Sequence, residues 1–255
     1  MNRQYVFLMV PNNSGSHILA HLMMSSKSVA AIPGLEGLFV KSFGEPPTKN
    51  TTAKSAFMFT SIEDDLRNFP ISRWREVKEA WDFEWDRFID RPIKIEKSPP
   101  LICAHNAYPQ VFDNYKYIVM VRNPFAVAEG MIRNVKKRSG EEISTLEAIK
   151  HSVRVLEICD EIVDKHKDNV IFFTYEEFTE NPEKIKQILI DFIPELSDMQ
   201  IYEKYDIKGE YYSGIVNMND SQIKRIPEKS LKVMEHYLDY KKKTSTNINS
   251  FIFKY

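Results

Sequence analysis

A short apolar segment that ends in a glycine-containing turn constrains the fold more than any other part of the sequence. Residues 5–10 read Tyr-Val-Phe-Leu-Met-Val, and the turn Pro-Asn-Asn-Ser-Gly-Ser follows at 11–16. Aromatic and β-branched residues favour a buried strand in so short a run. Beyond the turn, apolar residues recur with helical spacing at Ile18, Leu19, Leu22 and Met23. The segment therefore predicts a P-loop-like strand–loop–helix unit, in which the unpaired amides and the dipole of the helix N-terminus favour an anion.

Two familiar nucleotide-binding motifs are absent from this unit. The NTPase loop needs Gly, four residues and then Gly-Lys-Ser/Thr, and the chain contains no such string. The dinucleotide fingerprint needs three closely spaced glycines, whereas no other glycine lies close to Gly15 in the sequence. His17 and His21 have the spacing of helical metal ligands, but the metalloprotease pattern requires Glu where Ile18 stands. We therefore expect no metal ion at this site.

Four more strand candidates follow the first one and alternate with helical segments. The strands are predicted near 29–32, 93–97, 115–121 and 170–175, and the helices near 61–90, 124–137, 144–167 and from 181. Such alternation predicts an α/β fold, a parallel β-sheet flanked by helices. The helical stripe Trp74, Val77, Trp81, Trp85 and Phe88 is predicted to pack in the core. We expect a long loop at 41–55 and a polar, mostly helical tail, with Asn217 to Asn219 capping a segment that ends near Tyr240.

Composition excludes several classes of function. The formal net charge of −1 argues against a general nucleic-acid or membrane-surface binder, so a site for anions requires a local cluster of positive charge. No apolar run approaches the length of a membrane span, and residues 6–10 are too short for a signal peptide. The expected location is cytoplasmic. Cys103 and Cys159 stand in apolar surroundings, which predicts reduced core thiols.

Charged residues follow three of the predicted strands at their carboxyl ends. Glu36 comes after the second strand, Lys97 after the third and Arg122 after the fourth. Ligands of open α/β sheets bind at this edge, so these side chains are candidate site residues. An arginine that ends a buried strand also requires a partner. His105, eight residues after Lys97, competes with Glu36 for the role of general base because its intrinsic pKa suits proton transfer.

Four stretches in series resemble the sulfotransferase family, which uses 3′-phosphoadenylyl sulfate. They are Pro11 to Leu19, Glu96 to Pro99, Val121 to Ala128 and Thr174 to Phe178. The resemblance covers roughly residues 5–40 and 93–193. It implies a single domain over 1–255, in which 37–90 forms a variable insert on the acceptor side and 195–255 a divergent helical tail.

The resemblance also implies roles for individual residues. The first loop would hold the 5′-phosphosulfate of the donor, and Arg122 would contact its 3′-phosphate. Lys97 would lie near the transferred group, and Glu36 would act as the base, as in branches that lack a catalytic histidine. The acceptor would be a hydroxyl or amine of a small molecule or glycan. The implied donor-binding residues are Asn13, Ser14, Gly15, Ser16, His17, Arg122, Gly130 and Tyr175.

Departures from the family pattern keep two alternatives open. The family usually has a basic residue directly before Ser-Gly, where this chain has Asn13 in a loop one residue longer. The usual serine eight residues after the arginine is Gly130. One alternative is a non-catalytic nucleotide-binding protein of the same fold. The other is a nucleotide-dependent kinase, against which the missing loop lysine and the missing magnesium-binding hydroxyl argue.

Overall fold

The fold centres on one sheet of five parallel strands. The computed structural model describes residues 3–40, 57–87, 90–207 and 210–244. The strands are β1 Gln4–Met9, β2 Val29–Ala31, β3 Ile93–Glu96, β4 Tyr115–Val121 and β5 Val170–Thr174. They run in the order β2-β3-β1-β4-β5, so β1 lies in the middle and pairs with β3 and β4. This arrangement confirms the predicted α/β class.

Helices cover both faces of the sheet, and local sequence signals fix their starts. Pro124 occupies the first turn of the helix after β4, and the Asn123 side chain caps it. Ser144 and Glu147 form a capping box at the start of the next helix. The helices are α1 Ser16–Met24, α2 Glu63–Arg67, α3 Ile71–Asp86, α4 Pro124–Ser139, α5 Thr145–Lys165, α6 Tyr175–Glu180, α7 Pro182–Phe192, α8 Asn219–Ile223 and α9 Glu228–Thr244.

The alternation of side chains along β1 divides the core into two layers. Tyr5, Phe7 and Met9 face the layer that contains the tryptophans of α3. Val6, Leu8 and Val10 face the layer formed with α1 and α7. The predicted stripe Trp74, Val77, Trp81 and Trp85 is buried in the first layer, while Phe88 lies outside the described residues. Cys103 and Cys159 are buried free thiols in this layer, as their apolar surroundings predict.

Some predicted boundaries were wrong, and a proline explains one of the differences. The helix predicted near 61–90 is divided into a 3-10 turn at Phe59–Ile62, α2 and α3, with Pro70 at the last break. The tail contains a hairpin of β6 Lys204–Ile207 and β7 Glu210–Ser213 that helical periodicity did not predict. The capped segment near its end is two helices, α8 and α9. The loop predicted at 41–55 lies outside the described residues. No helix within the described part of the chain has the length and apolar character needed to cross a membrane.

Candidate anion-binding and catalytic site

The carboxyl ends of all five strands meet at one edge of the sheet. The loop at 10–15 follows β1, Glu36 follows β2, Lys97 follows β3, Arg122 follows β4 and Tyr175 follows β5. Because parallel strands end at a common edge, residues far apart in the sequence become neighbours there. The structure thus brings most of the predicted site residues together.

The loop after β1, together with the first turn of α1, forms a cradle of backbone amides. Gly15 is the N-cap of α1 with φ 84°, and no side chain caps this helix. Asn13 also has a left-handed backbone, with φ 62°. A Cβ atom on Gly15 would lie 2.8 Å from Cδ2 of Tyr175, so only glycine fits beneath that ring. With no side chain at the cap, the first amides of α1 are suited to an anion.

Glu36, Lys97 and His17 form a polar group beside the cradle. The Lys97 ammonium donates a hydrogen bond of 2.6 Å to Glu36 Oε1 and lies 3.2 Å from His17 Nε2. His17 Nε2 is 4.0 Å from the same carboxylate oxygen. The Lys97 side chain is 1% exposed, whereas the other two are each 21% exposed. The lysine therefore comes from inside the sheet edge, and the carboxylate and the imidazole are open to a ligand.

Glu96 lies directly beneath this group and anchors the turn that carries Glu36. Its Oε1 accepts the amide hydrogen of Gly37 at 3.1 Å and the hydroxyl hydrogen of Ser98. The Ser98 oxygen in turn accepts from the amide of Leu38 at 3.1 Å. Burial raises the pKa of Glu96 to about 7. Sequence reasoning missed this role, although a carboxylate at the end of a strand buried along its whole length must find hydrogen-bond donors.

A cavity of about 560 Å³ opens beside the cradle and contains four arginine side chains. Guanidinium groups bind phosphate oxygens in pairs of parallel hydrogen bonds, so such a wall suits a phosphorylated ligand. The lining also includes the aromatic rings of Phe57 and Tyr175. Arg133 and Arg138 lie on α4 and Arg225 lies in the turn after α8, away from the strand ends, so these three were not predicted. The arginines are Arg122, Arg133, Arg138 and Arg225.

Arg122 is the most enclosed of these arginines, with only 5% of the residue exposed. Its Nε donates to Asn219 Oδ1 at 2.7 Å, and its Nη1 donates to the Asn13 carbonyl at 2.6 Å. Its Nη2 donates to Gln222 Oε1. The guanidinium carbon lies 4.2 Å from the centre of the Tyr175 ring. Arg122 therefore links the cradle loop to α8 and stacks on the residue that follows β5.

Asn13 and Gly130 are in contact across the cradle loop and α4. A Cβ atom on Gly130 would lie 2.8 Å from Asn13 Cγ, so the loop side chain occupies the space above this glycine. Asn13 Oδ1 accepts a hydrogen bond of 2.6 Å from Asn134 Nδ2. The two departures from the family pattern are thus neighbours in space.

The structure does not bring His105 to this site. Its Nδ1 lies 3.2 Å from His166 Nε2, which belongs to a cluster beside Tyr115 at the amino end of β4. Burial lowers the pKa of His105 to about 3, so its ring is neutral at physiological pH. His105 therefore lies outside the group of side chains that faces the cradle. In the part of the chain that the structure describes, no three His, Cys, Asp or Glu side chains are grouped to hold a metal ion.

The chain has the fold of sulfotransferase domains. It is similar to the sulfotransferase from Alicyclobacillus acidocaldarius with a TM-score of 0.55 and 13% identity, over 93% of this chain and 96% of that one. The sulfotransferase domain of the Synechococcus PCC 7002 olefin synthase matches with a TM-score of 0.54 and 16% identity, over 92% and 94%. The sulfotransferase domain of the curacin biosynthetic pathway matches with a TM-score of 0.50 and 15% identity, over 93% of this chain and 98% of that one.

At the level of fold, these similarities confirm the resemblance seen in the sequence motifs. No protein-family model matches the sequence, and a search among curated proteins finds no match.

Proposed function

We propose that the protein transfers a sulfuryl group from 3′-phosphoadenylyl sulfate to a hydroxyl or amine of a small-molecule or glycan acceptor. The observation that carries the proposal is the group of Glu36, Lys97 and His17 beside the uncapped N-terminus of α1. Sulfuryl transfer resembles phosphoryl transfer, in which positioning and positive electrostatics supply most of the catalysis. The site offers an anion cradle, a buried cation and an accessible carboxylate.

Each part of the site has one role in the proposed reaction. The cradle at Ser14, Gly15 and Ser16 holds the 5′-phosphosulfate through the backbone amides of Gly15 and Ser16, while the amide of Ser14 donates to the Pro11 carbonyl. Glu36 takes the proton of the acceptor as the acceptor atom forms its bond to sulfur. The bond between sulfur and the bridging phosphate oxygen breaks, and 3′,5′-adenosine diphosphate leaves with that electron pair. Lys97 offsets the negative charge that develops during this displacement.

His17 supports Lys97 in this scheme. A neutral imidazole with its proton on Nδ1 accepts a hydrogen bond at Nε2, and the 3.2 Å distance to Lys97 suits such a bond. The bond would hold the ammonium beside the cradle when a ligand draws Glu36 away from it.

Calorimetry with 3′,5′-adenosine diphosphate, followed by turnover of the sulfuryl donor over a panel of hydroxyl and amine acceptors, tests the proposal. Glu36→Gln should leave product binding unchanged and lower turnover by about 10²- to 10⁴-fold, the range for loss of a general base. Glu228→Gln, on an exposed face of α9, is the matched control and should behave like the unmodified protein. Full turnover in Glu36→Gln would refute the assignment of the base.

A second candidate function is nucleotide binding without catalysis, and Asn13 is the observation that favours it. The cradle loop contains no lysine or arginine, so one stabiliser of the leaving phosphate is missing. This candidate predicts that 3′,5′-adenosine diphosphate binds while no acceptor is sulfated. A magnesium-dependent transfer from ATP would instead indicate the kinase.

A further inference from the structure

The four arginines of the cavity fall into two groups. Arg122 is buried, whereas the other three are exposed. We infer that Arg122 is a positioning residue that braces the cradle, and that Arg133, Arg138 and Arg225 recognise the 3′-phosphate of the donor. This inference rests on the proposed function, because it assigns the ligand of that same site. It differs from the role that the sequence motif implies for Arg122.

The hydrogen bonds of Arg122 are those of a brace. Each nitrogen of its guanidinium donates to the protein: Nε to Asn219, Nη1 to the Asn13 carbonyl and Nη2 to Gln222. Asn219 and Gln222 are each only 7% exposed. A phosphate that displaced them would leave two buried amide oxygens without donors, which is costly. These three bonds therefore hold the guanidinium against the cradle loop and α8.

The bonds around Arg122 extend the brace to α6. Asn219 Nδ2 donates to Glu176 Oε1 at 2.5 Å, and the same oxygen accepts from the amide of Asn123 at 3.0 Å. The cradle loop, the end of β4, α6 and α8 are thus tied through one guanidinium and one carboxylate. Loss of the guanidinium would release the Asn13 carbonyl and alter the backbone of the cradle, where Asn13 has φ 62°.

The other three arginines carry the charge that a phosphate needs. Arg133 and Arg225 share one carboxylate, that of Glu129, at 3.3 and 3.6 Å. Arg138 forms no ion pair within the described part of the chain, and its guanidinium lies 5.5 Å from the centre of the Phe57 ring. Together these three guanidinium groups and the Glu129 carboxylate have a net charge of +2. A phosphate monoester carries about −1.5 to −2 at neutral pH, so the charges match.

The exposure of these arginines also suits recognition of a ligand. The side chains of Arg133 and Arg225 are 43% and 47% exposed, and Arg138 is exposed as well. Arg133 and Arg225 share the buried carboxylate of Glu129, so one of them can turn toward a phosphate while the other stays paired with it. Two come from α4 and one from the turn after α8, so a phosphate between them would be held from two sides.

Three nucleotides separate the two roles by calorimetry: 5′-AMP, 3′-AMP and 3′,5′-adenosine diphosphate. Arg138→Gln and Arg225→Gln should each weaken 3′-AMP and the diphosphate by about 10- to 100-fold, the usual effect of one charge-assisted hydrogen bond. Binding of 5′-AMP should stay within about twofold. Arg73→Gln, at a partly exposed arginine of α3 paired with Glu76, is the matched control and should change the binding of none of the three nucleotides.

Arg122→Lys keeps a positive charge but cannot form the three-way brace. It should weaken 5′-AMP, which depends on the cradle, and leave 3′-AMP nearly unchanged; a general loss of structure would weaken both. Gln222→Ala should change the affinities for the nucleotides in the same pattern. It replaces Arg122→Lys in the test if that variant fails to fold. The inference is overturned if Arg122→Lys selectively weakens 3′-AMP, or if Arg138→Gln and Arg225→Gln do not. Absence of binding of all three nucleotides to the unmodified protein would refute the proposed function itself and this assignment with it.

Discussion

Replacing Gly15 by alanine tests the packing of the cradle directly. The substitution adds a Cβ atom 2.8 and 3.0 Å from two ring carbons of Tyr175. That ring cannot move aside freely, because its hydroxyl donates to the Val216 carbonyl at 2.8 Å and its face stacks on Arg122. Overpacking of this kind costs about 1–3 kcal/mol, and a left-handed alanine adds about 1–2 kcal/mol. Gly15→Ala should therefore lower the free energy of unfolding by roughly 2–5 kcal/mol.

Gly34→Ala is the matched control for backbone strain. Its φ of 77° is close to the 84° of Gly15, and no atom lies within 4 Å of its added Cβ. It should cost only the strain of about 1–2 kcal/mol. Urea unfolding of both variants, at unchanged m-value, measures the difference, which is the cost of the contact with Tyr175. Equal losses in the two variants would show that the ring does not close over the cradle, and the reasoning about Gly15 would fail.

Three more predictions follow from two buried titratable side chains and from the cradle loop. The pKa of Glu96 is raised to about 7, so the folded protein binds a proton more tightly than the unfolded chain and loses stability as pH rises from about 4.5 to 7. Glu96→Gln should remove this loss of unfolding free energy, about 3 kcal/mol in all, when thermal unfolding is measured across this pH range. Burial lowers the pKa of His151 to about 3, so stability falls as pH drops below about 6.5. In acid unfolding, the free energy of unfolding of His151→Asn should fall less steeply with pH, by about 1.4 kcal/mol per pH unit. Asn13→Lys should raise turnover by placing a cation at the leaving phosphate, and unchanged turnover with the donor still bound would mean that Lys97 already supplies this charge.

The sheet and the edge that carries the candidate site could be predicted because the strands are followed by polar residues. Glu36 and Arg122 follow apolar strands, and Lys97 follows a strand in which apolar and charged residues alternate. The geometry of parallel strands then places all three at one edge. Local sequence contains all the information that this inference needs. The prediction required no knowledge of the helices that cover the sheet.

Contacts between distant segments could not be predicted in the same way. Asn219 and Gln222 are 97 and 100 residues from Arg122, so nothing near the arginine indicates that the tail satisfies it. His17 and Lys97 are 80 residues apart, and their contact depends on the turn of α1 that faces β3. His105 shows the opposite difficulty: its residue type suits catalysis, but the path of the chain after Lys97 buries it elsewhere.

The contact between Asn13 and Gly130 restricts the order in which these two positions can change. A serine at 130 would place its Cβ 2.8 Å from Asn13 Cγ, and the hydrogen bond from Asn134 holds that side chain in place. A change to serine at 130 alone would thus be deleterious, whereas the same change would be tolerated once the side chain at residue 13 no longer occupies this space. The two sites are epistatic. Homologous chains should carry either Asn with Gly or a basic residue with Ser, and the mixed pair with Asn at 13 and Ser at 130 should be rare.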